Sequence, residues 1–458
     1  MTFRTPQPAH RSGSIAIVGA GFSGALLAIN LLRSTDMVVH LIEREPDRLA
    51  RGLAFGTNHA DHILNVRAAN MSAFPDDLGH FCGWLGAAGK SEANRFVPRR
   101  TFGAYLAEQL EQARASAPHR LKLVQGRAVA AEHGGGGWTI EMADGSRLAC
   151  DRLALAQGNS PPAPLPHFEA LGADIYAANP WSPLCVDGLE RTESILLIGM
   201  GLTAIDAALT LDSAGFKGRI IALSRRGIRP RPHAPVGPYV ERVDKPDVVG
   251  SALIRRVRAR AQTIGWRAAI DEIRPATQDL WRRMTIEERQ RFLRHLRPFW
   301  DAHRHRLAPA VDHRVWTMQM QGRLSFAAGK VVGATREGSH ARVEWRVRGT
   351  DILRSETVAR VINCTGPTGL VERSNDPLLR HLLARGSVRQ DALGLGIEVD
   401  RNGHVLDGQG RPQRDLLAVG PMTRAESWEI VAVPDIRHQV WNLARRLGNA
   451  HLVEGDGL

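Results

Sequence analysis

Cysteine is scarce in this 458-residue chain and never paired: Cys82, Cys150, Cys185 and Cys364 stand far apart with no C-x-x-C spacing. A zinc knuckle and a redox dithiol are thereby excluded as its working chemistry. Long apolar runs are missing as well. None approaches the roughly 20 residues of a membrane-spanning helix, and the polar opening MTFRTPQPAHRSGS holds no apolar export segment. A cytoplasmic protein with a frayed N-terminus is expected. Lysine is nearly absent, so the formal net charge of +13 is carried almost wholly by arginine. Such a balance suits a nucleic-acid or anionic-membrane partner. The arginines are spread along the whole chain, however, and alternate with glutamate in stretches such as IEERQRFLRHLR, the pattern of a solvated helix face. No nucleic-acid partner is expected.

What is present is material for a large interior. Hydrophobic residues make up 43% of the chain and charged residues 23%, the proportions of a globular protein. At roughly 150 residues per domain the length predicts two or three domains.

One unit occurs twice. SIAIVGAGFSGALLAINLLR reads as a buried strand, a glycine turn and an apolar helix, with MVVHLIE as the next strand; ESILLIGMGLTAIDAALTLDSAG followed by RIIALSRR repeats that order. Each unit is followed by a stretch that reads as antiparallel strands returning to a parallel one, 121–155 in the first half and 324–366 in the second, ending at Gly158 and Gly366, where a tight turn beside a dinucleotide is expected. The fold class is therefore α/β, with two Rossmann-like dinucleotide-binding domains, small antiparallel β-layers and a helical insertion. The expected division is 14–190 for the first part of an FAD-binding domain, 191–330 for an NAD(P)-binding domain carrying the insertion over 244–307, and 331–458 for the return to the FAD-binding domain. In the insertion, Thr285 and Glu288 have capping-box spacing. A second addition, Arg51 to Asp77, has no clear period and reads as a long functional loop.

Gly19, Gly21 and Gly24 form G-x-G-x-x-G between strand and helix, with Phe22 and Ser23 inside the turn, and Glu43 stands at the end of the next strand, about 20 residues on. Gly19 permits the turn, Gly21 lets backbone approach a pyrophosphate at the helix N-terminus, and Gly24 allows helix and strand to pack closely. Glu43 accepts from ribose hydroxyls. FAD is the expected ligand, because a second complete dinucleotide unit follows downstream. Val129 is a candidate for backbone contact with the adenine. In the second unit Gly199, Gly201 and Ala204 give G-x-G-x-x-A, with Thr203 in the first helical turn. The next strand ends in Ser224, Arg225 and Arg226 instead of an acid. A hydroxyl and two guanidinium forks suit a 2′-phosphate, so NADPH is expected ahead of NADH.

With these residues in view, the chain resembles the bacterial FAD/NAD(P)-binding oxidoreductases that include FAD-dependent urate hydroxylase, and is more distantly similar to the flavin monooxygenases. The resemblance rests on GAGFSG, GLAFGT with HILNVRAANMSAFPDD, SRRGIRPRPH, FWDAHRHRLAP, VINCTGP and LLAVGPMTRAESWEIVAVPDIRHQV. It implies that Asn65, Met71 and Ser72 lie near the isoalloxazine, that Gly420 approaches the ribityl-phosphate region, and that Trp428 and Glu429 sit close to flavin or substrate. Where many two-dinucleotide flavoproteins carry Gly-Asp, this chain has Gly420-Pro421, so backbone N–H groups must replace a carboxylate.

The expected activity is that of a monooxygenase: NADPH reduces FAD, and O2 on the reduced flavin, as a C4a-hydroperoxide, hydroxylates a small organic substrate, a urate-like heterocycle or an amine. An NAD(P)H:acceptor reductase is the alternative within enzymes, and a flavin-dependent sensor or nucleic-acid-binding protein the alternative outside them. His59, His62, His303 and His305 are candidate proton relays. No metal-ligand motif is present, and the sequence carries no signal for an oligomeric state.

Overall fold

The computed structural model describes residues 13–86, 90–189, 193–234 and 245–448. The polar leader, the expected boundary at 190/191 and the expected start of the insertion at Asp244 lie outside them.

The first unit begins as its sequence dictates. SIAIV forms β1 (Ser14–Val18), whose Ile15, Ala16 and Ile17 are wholly buried, because a parallel strand is covered on both faces. The helix Phe22–Ser34 is buried along nearly its whole length, which is why its sequence is apolar all round rather than striped. It lies between the sheet and two outer helices, Arg99–Ser116 and Val433–Leu447. Leu27, fully buried there, is a position where truncation to alanine costs about 3 kcal/mol. β2 (Val38–Glu43) and β3 (Leu121–Gln125) continue the parallel sheet on one side of β1. β4 (Ala128–Gly134), β5 (Gly137–Met142) and β6 (Arg147–Cys150) form a separate antiparallel sheet over the opposite face, before β7 (Arg152–Leu155) returns beside β1.

The second unit is built on β8 (Tyr176–Ala177), β9 (Ser194–Ile198), β10 (Arg219–Ser224), β11 (Leu324–Glu337), β12 (His340–Val347), β13 (Leu353–Val358) and β14 (Arg360–Asn363), in the order β13-β12-β11-β10-β9-β14-β8. Here the antiparallel layer does not separate. β11 runs parallel to β10 over Leu324–Ala328, passes a bulge between Val331 and Gly333, and continues antiparallel to β12. A boundary at residue 331 would cut this strand. The return to the first sheet therefore comes after Asn363, through Gly366 and the helix Pro377–Ala384 packed on β4, and ends with β15 (His404–Leu406) and β16 (Pro412–Ala418) beside β7.

The insertion is helical, as its spacing predicts. The helix Gly250–Ile273 is kinked at Gly265 and followed by Thr277–Arg283, Ile286–Arg291 and Arg297–Arg304, with the Thr285–Glu288 capping box formed in both directions. Among the described residues no helix is long and apolar enough to cross a membrane.

Candidate functional site

The first glycine turn is closed by its own surroundings. Gly19 takes the left-handed conformation (φ 98°), and a Cβ on it would stand 2.6 Å from the Ala156 carbonyl oxygen. A Cβ on Gly24 would overlap the Gly19 carbonyl, and one on Gly21 would meet Gly52 Cα at 3.2 Å. The helix Phe22–Ser34 starts at Gly21 with no side-chain cap, so its first-turn N–H groups remain for an anion. Phe22 and Ser23 are buried within this start. Glu43 accepts from the Ala20 and Glu45 N–H groups at 2.9 and 3.0 Å. It thus fixes the turn from the end of β2. A pyrophosphate and ribose fit these residues.

Val129 is the extra residue of a β-bulge: Ala128 pairs with Met142 and Ala130 with Glu141. Its backbone is out of the ladder, as contact with an adenine requires. Gly158 and Gly366 are both left-handed (φ 76° and 84°) with no atom within 4 Å of a Cβ position. Gly420 (φ 76°) is pressed against Ser23, whose Oγ a Cβ would strike. The Gly420 N–H donates to Gln439 Oε1 at 2.7 Å, while Gln439 Nε2 donates to Thr423 Oγ1 at 2.9 Å. A glutamine on the C-terminal helix thus takes over the task of fixing this turn.

The segment from Arg51 to Asp77 joins both halves. Its Asn65 is half-buried, and the Asn65 carbonyl accepts from His233 Nε2 at 2.9 Å. Burial pushes the His233 imidazole down to about 4, so the ring is neutral. Met71 and Ser72 are 1% and 0% exposed. The Ser72 hydroxyl donates to the Phe74 and Asp77 carbonyls, and its carbonyl receives Arg437 Nη1 at 2.9 Å. It holds the loop in shape. Of the candidate relay histidines, His62 is wedged between Thr57 Oγ1 (2.8 Å) and Thr210 Oγ1 (2.9 Å), tying the segment to the second unit. His59 lies against it, with ring centroids 4.9 Å apart. His303 stacks on Trp266, and His305 stands 3.7 Å from Glu429.

The second glycine turn is more open. Gly199 (φ 124°) is left-handed, and a Cβ there would strike the Cys364 carbonyl, but nothing lies within 4 Å of a Cβ on Gly201. The helix Leu202–Ser213 again starts without a side-chain cap, with Thr203 half-buried in its first turn. Ser224 Oγ accepts from the Gly227 N–H at 3.1 Å. Arg225 is exposed, and its guanidinium has no partner among the described residues; its carbonyl accepts from Arg348 Nη1 at 3.2 Å. Arg226 departs from the expected two-arginine fork. Its Nη1 and Nη2 donate to the His295 and Arg294 carbonyls at 2.8 and 2.7 Å, and its guanidinium lies over Phe299. This arginine docks the insertion.

The insertion also meets the closing segment 425–429. Trp428 stacks on Trp281 (4.7 Å between centroids, 22° between planes) with Phe292 on edge, so it is packed into an aromatic core. Glu429, a non-glycine residue at φ 69°, is 6% exposed. Its Oε1 accepts from Trp300 Nε1 at 2.8 Å and its Oε2 lies 3.0 Å from Arg304 Nε. Burial alone would raise the Glu429 carboxyl; His305, Arg304 and the Trp300 N–H overcome it and hold the group below its ordinary value. Sequence reading placed Glu429 near the site but gave no signal of these partners, nor of Gly52, Gln439 or His233, all distant along the chain.

Residues 16–160 match the protein-family model described as FAD-NAD(P)-binding. No curated protein matches the sequence. Among solved structures the chain is similar to L-lysine 6-monooxygenase from Pseudomonas syringae, at 18% identity and a TM-score of 0.65, over 96% of this chain and 100% of that one. It is similar to DfoA, the cadaverine monooxygenase of Erwinia amylovora solved with FAD, at 12% identity and a TM-score of 0.66 over 94% of each chain. It is also similar to the ornithine N-hydroxylase of Kutzneria sp. 744, solved with reduced FAD, NADP+ and L-ornithine, at 15% identity and a TM-score of 0.61, over 96% of this chain and 99% of that one. The likeness spans both units, and the two-dinucleotide α/β architecture is the fold of this chain.

Proposed function

We propose that the protein is an FAD-dependent monooxygenase reduced by NADPH, acting on a small organic amine. The observation that carries the reading is the pair of uncapped glycine turns on two sheets of one chain, joined by the segment from Arg51 to Asp77. FAD at the first turn supplies redox and oxygen chemistry that no side chain can. The residues bind and orient. The N–H groups after Gly21 hold the pyrophosphate, Glu43 the adenosine ribose, the bulged Val129 backbone the adenine, and the Gly420 turn the ribityl phosphate. At the second turn the N–H groups after Gly201 hold the NADPH pyrophosphate, and Arg225 with Ser224 receives the 2′-phosphate. The insertion, locked by Trp281, Trp300 and Arg304 onto 425–429, keeps water from the reacting centre.

An amine is preferred to a urate-like heterocycle because the similar structures are named for hydroxylation of lysine, ornithine and cadaverine. A dithiol route to an acceptor lacks its parts: Cys150, Cys185 and Cys364 are buried, burial raises all three thiols, and all four cysteines are free. The test is incubation of the FAD-loaded protein with NADPH, 18O2 and lysine, ornithine, cadaverine or urate. One 18O atom in the product of an amine supports the reading. No label in any product, together with fast NADPH oxidation in a parallel incubation that supplies a quinone, assigns the protein to the acceptor reductases instead.

A further inference from the structure

A cavity of about 390 Å³ lies between the insertion, the turn Val399–Gly403 and the helix Val433–Leu447. None of Gly19, Gly21, Gly24 or Gly420 lines it, while Val419 and Gln439 border it behind the Gly420 turn. Its volume falls within the range that holds a small metabolite.

The lining is rich in guanidinium groups: Arg274, Arg282, Arg304, Arg401 and Arg446. Two of them are committed, Arg282 to Glu426 at 3.0 Å and Arg304 to Glu429 at 3.0 Å. The other three are not. The Arg274 guanidinium has no hydrogen bond among the described residues, and its ion-pair partner, Asp435 Oδ2, is 3.9 Å away. Arg401 is exposed and has no hydrogen bond or ion pair there. Arg446 donates only to the Asn402 carbonyl, at 2.7 Å. On the acid side, Asp400 is engaged by His404 Nδ1 at 2.8 Å. Asp435 faces Arg274, and its buried Oδ2 has no hydrogen-bond partner. Burial, with Arg304 nearby, lowers the Arg274 guanidinium against the opposing pull of Asp435, Glu429 and Asp271. A planar fork taken partly out of water and left without a hydrogen-bond partner is suited to a bidentate oxyanion.

We propose that this cavity is a binding site for a small anionic metabolite bearing a carboxylate or phosphate group, held by Arg274 from the insertion side and by Arg401 and Arg446 from the other. It is lined by none of the glycines of the two dinucleotide turns and does not rest on the monooxygenase reading.

The test is isothermal titration of the FAD-loaded protein saturated with NADP+, which fills the phosphate subsites of both turns. Inorganic phosphate is the probe in one arm and succinate in the other, at ionic strength fixed with chloride. Saturable one-site binding of either probe, weakened about tenfold or more in both Arg274→Gln and Arg401→Gln, supports the site, and the stronger arm identifies the ligand chemistry. Arg401→Gln changes an exposed side chain without partners, so its effect cannot come from misfolding. No saturable binding in either arm, or binding unchanged in both variants, overturns the proposal. No turnover is measured, so either result leaves the proposed reaction to its own test.

Discussion

The two glycine turns are alike in sequence and unlike in enclosure. At the first, all three glycines are pressed by backbone or by Gly52, and Glu43 pins the turn through the Ala20 N–H. At the second, only Gly199 is pressed, Gly201 faces open space, and Ala204 replaces the third glycine. A rigid enclosed cradle suits a ligand that stays, and an open one suits a ligand that must arrive and leave at each turnover. Enclosure, rather than the glycine pattern, separates a resident flavin site from an exchanging nicotinamide site.

The sharpest way to break that contrast is substitution at the middle glycines. Gly21→Val is expected to abolish flavin retention, because the side chain meets Gly52 and fills the space of the pyrophosphate. A purified variant with full flavin absorbance would remove the first-site assignment. Gly201→Ala is expected to keep the fold and full flavin content while raising the KM for NADPH about tenfold or more, since the methyl group meets no protein atom but stands in the ligand's path. Loss of flavin in this variant would erase the distinction between the turns.

A smaller effect separates the two arginines after β10. Arg225→Ala is expected to raise the KM for NADPH roughly tenfold, and that for NADH little, through loss of one charged contact. Arg226→Ala is expected instead to lower the melting temperature, because two carbonyls of the insertion lose their donor. Equal shifts in NADPH preference in both variants would restore the fork that the sequence suggests.

A pH-dependent effect concerns the joint between the halves. His233 is half-buried, and desolvation depresses its pKa to about 4. The stability it contributes is therefore whole above its unfolded value near 6.5 and is lost as pH falls from there through 4, up to about 3 kcal/mol. Denaturant melts between pH 7 and pH 4 should show a shallower loss for His233→Gln than for the native chain.

Much of this was legible in the sequence because its signals are local. The glycine spacing, the acid at the end of β2, the twin βαβ beginnings and the Thr285–Glu288 box each lie within one short segment and came out where they were expected. The rest depends on contacts distant along the chain. Gly52 against Gly21, Gln439 on Gly420, Arg437 on Ser72 and Arg304 on Glu429 leave no periodic trace. The expected boundary at 330/331 falls inside the single strand Leu324–Glu337, whose two ends pair with different neighbours. Arg226 looked like a phosphate ligand because its type and place fit one; a helix end supplied by the insertion claims it first.

The Arg226 contact carries a consequence for anyone redesigning coenzyme choice. The usual recipe exchanges both basic residues after the second strand for an acid. In this chain that exchange would also set a carboxylate against two outward-pointing carbonyl oxygens, repelling them where the native side chain donates. Architecture rests on Arg226 and the proposed preference on its neighbour, so a switch toward NADH has to be made at Arg225 while Arg226 is left as it is.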